Sequence, residues 1–226
     1  MLFMVLGRGK TGSLVAQAAH EHGHSVRVVG EEENRNAAAL TPPVLAGFDA
    51  VIDFTTPEAA VQNMRACLAN GARMVVGTTG WYHHLDAMRD LCGRKGGALL
   101  YSSNFSIGVQ AMFRVARDLA QAAPSYRFHI TETHHTSKKD APSGTALSLQ
   151  RILQSAHPGL EVEITSKREG EVAGIHVIEA RSDNDVIELK HEAFSRRGFA
   201  EGAVRAAEWI AGKKGCWDFQ EIVAEL

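Results

Sequence analysis

Two stretches of this chain hold residue types in an order that chemistry can use. The first is Gly7-Arg8-Gly9-Lys10-Thr11-Gly12, placed directly after the apolar run Leu2–Leu6 and at the head of a helical pattern. In that setting G-x-G-x-x-G binds the pyrophosphate of a dinucleotide. The glycines permit a tight turn and close backbone approach, and the helix N-terminus supplies N–H donors and partial positive charge. The pattern also needs an acidic residue about twenty positions on, after the second strand, to hold a ribose diol. Glu31 stands there. Gly9-Lys10-Thr11 mimics the end of a triphosphate-binding loop, but that loop requires glycine at position 4, where Met4 lies.

The second stretch runs Thr131-Glu132-Thr133-His134-His135-Thr136-Ser137-Lys138-Lys139-Asp140-Ala141-Pro142-Ser143-Gly144-Thr145-Ala146. Paired histidines, a lysine three residues later and a Pro-Ser-Gly-Thr helix start form a cationic pocket. Ser143 caps the helix, so the backbone N–H groups of Gly144 and Thr145 can hold a carboxylate. His134, His135 and Lys138 supply charge and protons, and a lysine among other cations gives up its proton more readily. No metal is expected: adjacent histidines on a strand point to opposite faces, and no cysteine or spaced histidine completes a tetrahedral set. His20, His22, His24, His83 and His84 read as solvated residues flanking surface helices.

The elements that must position these residues follow from hydrophobic period. Candidate strands are Leu2–Leu6, Val26–Val29, Ala50–Phe54, Arg73–Val76 and Ala98–Tyr101, alternating with helical segments Thr11–His22, Pro57–Asn70 and His83–Arg94. That alternation predicts βαβ units and a parallel sheet. Ligands sit at the carboxyl ends of such strands, which puts Gly77-Thr78-Thr79-Gly80 and Ser102-Ser103-Asn104-Phe105-Ser106 beside a cofactor groove. A helix at Val109–Ala122 follows. Beyond Pro124 come a strand (Tyr126–Thr133), a helix (Gly144–Ser155) and three strands, Glu161–Lys167, Ile175–Arg181 and Val186–His191. Gly170, Gly174 and Asp183-Asn184-Asp185 read as their turns, and clustered strands imply a mixed sheet in a second domain. An Ala-rich helix over Phe199–Ala211 then returns toward the first domain.

Composition bounds the partners. With 45% hydrophobic and 22% charged residues the chain folds, and a net charge of −2 without a basic stripe speaks against nucleic acid. No apolar run reaches the ~18 residues that cross a bilayer. The opening Met1–Leu6 meets Gly7 and Arg8 too early for a signal peptide. Cys67, Cys92 and Cys216 are scattered and odd in number, so reduced thiols and a cytoplasmic location are expected.

The stretch Glu132–Ala146 resembles the E-x-H-H-x-x-K-x-D-A-P-S-G-T-A signature of the dihydrodipicolinate reductase family. Asp53-Phe54-Thr55-Thr56-Pro57, the Gly77–Gly80 loop and Asn104-Phe105-Ser106 are similar to further blocks of that family. So are Ile187–His191, Ser195-Arg196 and Phe199–Ala203. The resemblance implies a Rossmann-like domain (1–104, with 197–226 packing back on it) and an α+β substrate and tetramerisation domain (105–196) with a mixed sheet. It implies reduction of a cyclic dicarboxylic imine by NADH or NADPH on the diaminopimelate route to lysine. His134 is then the catalytic histidine and Lys138 the proton donor, with His135, Ser143, Gly144 and Thr145 binding substrate. Gly7 to Gly12, Gly77, Thr78, Thr79, Ser102, Ser103, Asn104 and Phe105 hold the cofactor, with Glu31 on the adenine ribose. Two departures stand out: the glycine loop is about one residue shorter than the common form, and Glu31–Phe48 is abbreviated. Glu32 follows Glu31 where many members have a basic residue, which favours NADH.

Two other readings compete. A semialdehyde dehydrogenase needs an activated cysteine, and the three cysteines lie away from the histidines. A non-catalytic dinucleotide sensor would keep Gly7–Gly12 and Glu31 but has no use for the His134–Thr145 constellation.

Overall fold

The computed structural model describes residues 1–226, which form two compact units, Met1–Ser106 with Arg197–Leu226 and Ile107–Arg196. In chain order the first unit has β1 (Leu2–Leu6), α1 (Lys10–Glu21), β2 (Ser25–Val29), α2 (Pro42–Leu45), β3 (Ala50–Asp53), α3 (Pro57–Ala69), β4 (Arg73–Val76), α4 (Leu85–Lys95) and β5 (Ala98–Tyr101). The second unit has α5 (Ile107–Ala122), β6 (Arg127–His134), α6 (Gly144–Ala156), β7 (Val162–Arg168), β8 (Gly174–Arg181) and β9 (Val186–Ala193). The chain then returns to the first unit with α7 (Arg197–Ile210), β10 (Gly215–Asp218) and α8 (Phe219–Ile222).

The first unit is built on a parallel six-stranded sheet in the order β10-β5-β4-β3-β1-β2. Phe3–Leu6, Val51–Ile52, Met74–Val76 and Leu99–Leu100 are buried without interruption, as strands covered on both faces must be. Thr56 caps α3, accepting from the Ala59 N–H at 3.4 Å, and Pro57 occupies the first helical position. α7 packs on α1 through small residues. At Gly202 a Cβ would fall 1.7 Å from the Phe105 carbonyl oxygen, so only glycine lets the helix approach. The expected parallel sheet is present. β10 was not anticipated: Gly-Cys-Trp-Asp contains no β-branched residue, and its register comes from pairing with β5.

The second unit has a mixed sheet, β7-β6-β8-β9, with β6 parallel to β7 and antiparallel to β8. α5 and α6 bury Val109, Met112, Phe113, Leu149 and Leu153 against Phe128, Ile130 and Ile178. One expected turn residue is misassigned. Gly174 begins β8, paired with Ala193, and a Cβ there would lie 3.1 Å from His134 Nε2. Its smallness serves close packing, and the turn lies earlier, where the Val172 N–H donates to the Glu169 carbonyl at 3.2 Å.

The expectation of solvated histidines also fails for His22 and His24. Their side chains are partly covered and meet carboxylates of α7: His22 pairs with Glu201 and Glu208, and His24 with Glu208. Packing of α1 on α7 created partners that local sequence could not reveal. No helix is long and apolar enough to cross a membrane.

Candidate active site

The glycine loop follows β1, and its three glycines have different reasons. Gly7 sits at φ +104, and a Cβ there would lie 2.3 Å from the Phe54 carbonyl oxygen. A Cβ at Gly12 would lie 2.1 Å from the Gly7 oxygen, so Gly12 seats α1 on the turn. Around Gly9 no protein atom lies within 4 Å of an added Cβ. Its smallness leaves room for a ligand's phosphate. α1 starts there with no side-chain cap and no acid in its first turn, so its N-terminus offers backbone donors to an anion. A cavity of about 810 Å³ opens over this loop. It lies at the carboxyl ends of β1, β2 and β3, where the strand order reverses direction, the position at which open α/β sheets bind ligands. Gly7, Arg8, Gly9 and Glu31 all line it, together with Glu32, Asn36, Thr55 and Asn63. These residues fit a dinucleotide.

Not every expected cofactor residue reaches that cavity. Lys10, Thr11 and Gly12 do not line it, and neither do Gly77, Thr78, Thr79, Ser102, Ser103, Asn104 and Phe105, which follow β4 and β5. The Thr78 hydroxyl is turned inward, donating to Asp53 Oδ1 at 2.7 Å and accepting from the Thr55 N–H at 2.8 Å. Ser102 Oγ donates to the Asn104 carbonyl and accepts from the Asn104 N–H, at 2.8 and 3.1 Å. Phe105 is buried against Phe219.

Asp53 is the centre that sequence reading passed over, although it opens the Asp-Phe-Thr-Thr-Pro block. It is fully buried and also accepts from Thr55 and, at 2.8 Å, from Asn63, which in turn accepts from Asn34. Burial pushes its carboxyl up, against these hydrogen bonds. The chain from Asn34 to Thr78 ties three loops of the groove together.

In the second unit β6 delivers Glu132 and His134, and His135 follows directly after it. Glu132 is fully buried; its Oε2 takes a short hydrogen bond from His134 Nδ1, and its Oε1 accepts from Arg168 at 3.0 Å. Burial alone would raise this carboxyl, but hydrogen bonds from Ser166, Arg168 and His134 outweigh it and hold it low. Burial likewise pushes His134 below the ordinary histidine value, against the pull of Glu132. The pair is therefore carboxylate and neutral imidazole: Nδ1–H donates to Glu132, and Nε2 presents a lone pair beside Gly174.

The sheet register sets His176 of β8 opposite Glu132. Its ring stands edge-on to His134 at 5.1 Å, and its Nε2 lies 3.1 Å from Ser143 Oγ. Ser143 caps α6 as expected, accepting from the Ala146 N–H at 3.2 Å. Gly144 and Thr145 form the first turn. Burial pushes His176 down to about 4, so it too is neutral. His135 faces outward, with Nδ1 2.8 Å from Ser137 Oγ and Nε2 3.4 Å from Arg196.

Lys138 departs from its expected surroundings. Nζ donates to both Asp140 oxygens, at 2.8 and 2.9 Å, so its nearest charge is a carboxylate and not another cation. Arg168 donates to the Lys138 and Asp140 carbonyls at 3.3 and 2.6 Å, fixing the loop as well as Glu132. In this unit Glu132, Arg168 and His176 are the residues sequence reasoning missed. Only Glu132 had a local signal, its place two residues before His134. Glu132, His134 and His176 do bring ligand-type atoms within 4.8 Å of one another, but the guanidinium already on Glu132 opposes a cation there.

The thiols fit no nucleophile. Burial pushes Cys67 and Cys92 up and Cys216 up to about 11. A thiolate attacking near neutral pH, as semialdehyde dehydrogenation demands, has no candidate.

Comparison of the sequence with known proteins agrees on one family. A family model described as dihydrodipicolinate reductase, N-terminus, matches residues 1–105, and one described as dihydrodipicolinate reductase, C-terminus, matches residues 108–223. A 4-hydroxy-tetrahydrodipicolinate reductase of Natronomonas pharaonis is 37% identical, over 95% of this chain and 96% of its own. One of Christiangramia forsetii is 33% identical over 100% and 99%. The solved structure of a dipicolinate-bound dihydrodipicolinate reductase from Paenisporosarcina sp. TG-14 shares the fold, with a TM-score of 0.81 at 21% identity over 98% and 99% of the two chains.

Proposed function

The chain belongs to the dihydrodipicolinate reductase family, and from that premise we propose that it reduces 4-hydroxy-tetrahydrodipicolinate to tetrahydrodipicolinate with a pyridine nucleotide, in lysine and diaminopimelate biosynthesis. The observation that supports this most directly is the buried Glu132–His134 pair at the end of β6, with Lys138 four residues after His134 on the loop that leads to the Ser143-capped helix.

When bound, the nucleotide supplies the hydride. Gly7, Gly9 and the N-terminus of α1 hold its pyrophosphate, and Glu31 accepts from the adenine ribose. Gly77, Thr78 and Thr79, with Ser102 to Phe105, shape the groove beside it. Thr78 acts through the Asp53 network that holds these loops. Neutral His134 has no spare proton on Nε2, so Lys138, its ammonium held by Asp140, is the donor of the pair. His134 presents its lone pair to orient the substrate or to accept the proton in reverse. The α6 N-terminus, with Ser143, Gly144 and Thr145, and the His135 ring hold carboxylate.

The cofactor preferred is NADH over NADPH. The assembly is a homotetramer made through the second unit: β9 is an edge strand, with Val186 47%, Ile187 41% and the adjoining Phe194 93% exposed. The reaction runs in the cytoplasm. The test is a coupled assay in which a synthase condenses pyruvate with aspartate semialdehyde, this protein is added, and NADH and NADPH are followed separately. Oxidation that depends on the condensation product is the expected result. Cofactor binding without oxidation would favour the sensor, and light scattering that finds a monomer would remove the tetramer.

A further inference from the structure

One cluster of metal-ligating side chains lies in the first unit away from the glycine loop. His22 caps the C-terminus of α1, Gly23 turns at φ +80, and His24 leads into β2. This His-Gly-His turn aims two imidazoles at one side chain of α7. His22 Nδ1 is 3.0 Å and His24 Nε2 2.7 Å from the same Glu208 oxygen. The ligand-type atoms of the three residues all lie within 4.8 Å of one another. Tetrahedral zinc with bonds of about 2.0–2.2 Å spaces its ligand atoms roughly 3.3 Å apart. The two histidine–Glu208 separations therefore need to lengthen by only about 0.3–0.6 Å to admit an ion.

The surroundings are those of a metal site as well. The far nitrogen of His22, Nε2, lies 2.8 Å from Glu201, and Glu201 is held by Arg197 Nε at 3.0 Å. A carboxylate on the outer nitrogen of an imidazole is the arrangement that fixes the tautomer of metal-binding histidines. A surface cavity of about 420 Å³, bordered by His22, Glu208 and Trp209, adjoins the cluster and leaves space for a water ligand.

We infer that His22, His24 and Glu208 form a binding site for a divalent transition-metal ion of the zinc class, with Glu201 orienting His22 and water completing the tetrahedron. Binding exchanges the ion for the protons now shared between each imidazole and Glu208. No oxidation or bond cleavage is involved. The ion would staple the α1–β2 turn to α7, a structural role remote from the His134 chemistry.

The test uses the whole protein, stripped with chelator and dialysed against zinc chloride at pH 7.5, with thermal melts run on the same samples. One zinc per chain and a higher melting temperature are expected. Glu208→Gln and His24→Gln should each weaken zinc binding at least tenfold and abolish the thermal shift, with metal-free turnover unchanged. His134→Gln should still bind zinc. If Glu208→Gln does not fold, His24→Gln carries the comparison. Substituted cobalt should show the intense visible absorption of a tetrahedral ion. Failure to retain zinc at tens of micromolar, retention by His24→Gln, or loss in His134→Gln would each overturn the site. The last would move the ion to the Glu132 cluster.

Discussion

The glycine groove of the first unit and the Glu132–Asp140 region of the second both handle charge, but in opposite ways. In the groove, Arg8 lies across Gly30 and pairs with Glu33 at 2.6 Å, with 62% and 46% of the two side chains exposed. In the second unit Glu132 is wholly buried between His134 and Arg168. Exposed pairs are worth about 0.2–1 kcal/mol, while removing one partner of a buried pair costs about 3–5 kcal/mol. The groove can therefore recognise its ligand through backbone shape, with side chains adjusting preference. The second region depends on each charged side chain being present.

The largest expected effects follow from that dependence. Lys138→Ala and His134→Ala should each lower kcat roughly 10²–10⁴-fold, the usual worth of a positioned acid–base group. NADH affinity should barely change, since neither residue lines the glycine groove. Steady-state kinetics with NADH-binding titrations decide it; near-normal turnover in both variants would remove the catalytic assignment.

Next comes Glu132→Gln, which keeps shape and removes charge. Arg168 then loses its buried carboxylate, and stability should fall by about 3–5 kcal/mol in urea melts. Glu132 also pulls His134 upward against burial. Without it His134 should titrate lower still, moving the acid limb of the pH–rate profile to lower pH. A variant with unchanged stability and profile would show that the pair is dispensable.

The pH dependence of stability gives the comparison a sign. His176 is pushed down to about 4 by burial, so it binds fewer protons folded than unfolded. Its contribution is full above the ordinary value near 6.5 and is lost as pH falls toward 4, on the order of 3 kcal/mol. His22 goes the other way. Its hydrogen bond to Glu208 is the main cause raising it, with Glu201 adding to this. That stability is present below the ordinary value and lost as pH rises through the raised one. Metal-free urea melts between pH 4 and 8 should therefore flatten at the acid end for His176→Gln and, more weakly, at the alkaline end for His22→Gln.

The same contrast explains what was legible. Gly7, Arg8, Gly9 and Glu31 stand next to strands whose apolar runs are plain, and all four line the cavity. The parallel sheet was equally legible, because strands covered on both faces are written as apolar runs. His176 was not, since only the antiparallel register of β6 and β8 sets it opposite Glu132. Arg168 was hidden for the same reason, reaching Glu132 from β7. Asp140 stood in view beside Lys138, but the loop's fold decides that it pairs with that lysine. Gly174 reads as a turn in the sequence because a glycine that makes room for a ring and one that makes a bend look alike there.

The smallest effect belongs to the groove. NADH should be preferred over NADPH in kcat/KM by roughly tenfold, about 1.4 kcal/mol. Glu31 and Glu32 both line the cavity, and a 2′-phosphate would bring about two negative charges to them. Arg8 and Arg35 line the cavity as cations that can offset that repulsion, but Glu33 engages Arg8, and the Gly30 N–H donates to the same Glu33 oxygen at 3.3 Å. Glu33→Gln should release Arg8 and narrow the preference, chiefly by improving the KM for NADPH. Arg8→Ala should widen it. Glu32→Arg should shrink or reverse it, placing a cation where a carboxylate now stands. Because these charges are exposed, raising salt should also narrow the preference, as screening weakens the repulsion. Parallel titrations of the two cofactors at low and high salt measure all of this. A clear preference for NADPH in the unmodified protein would mean that Arg8 leaves Glu33 for the 2′-phosphate at little cost, and that backbone shape here outweighs the acidic side chains.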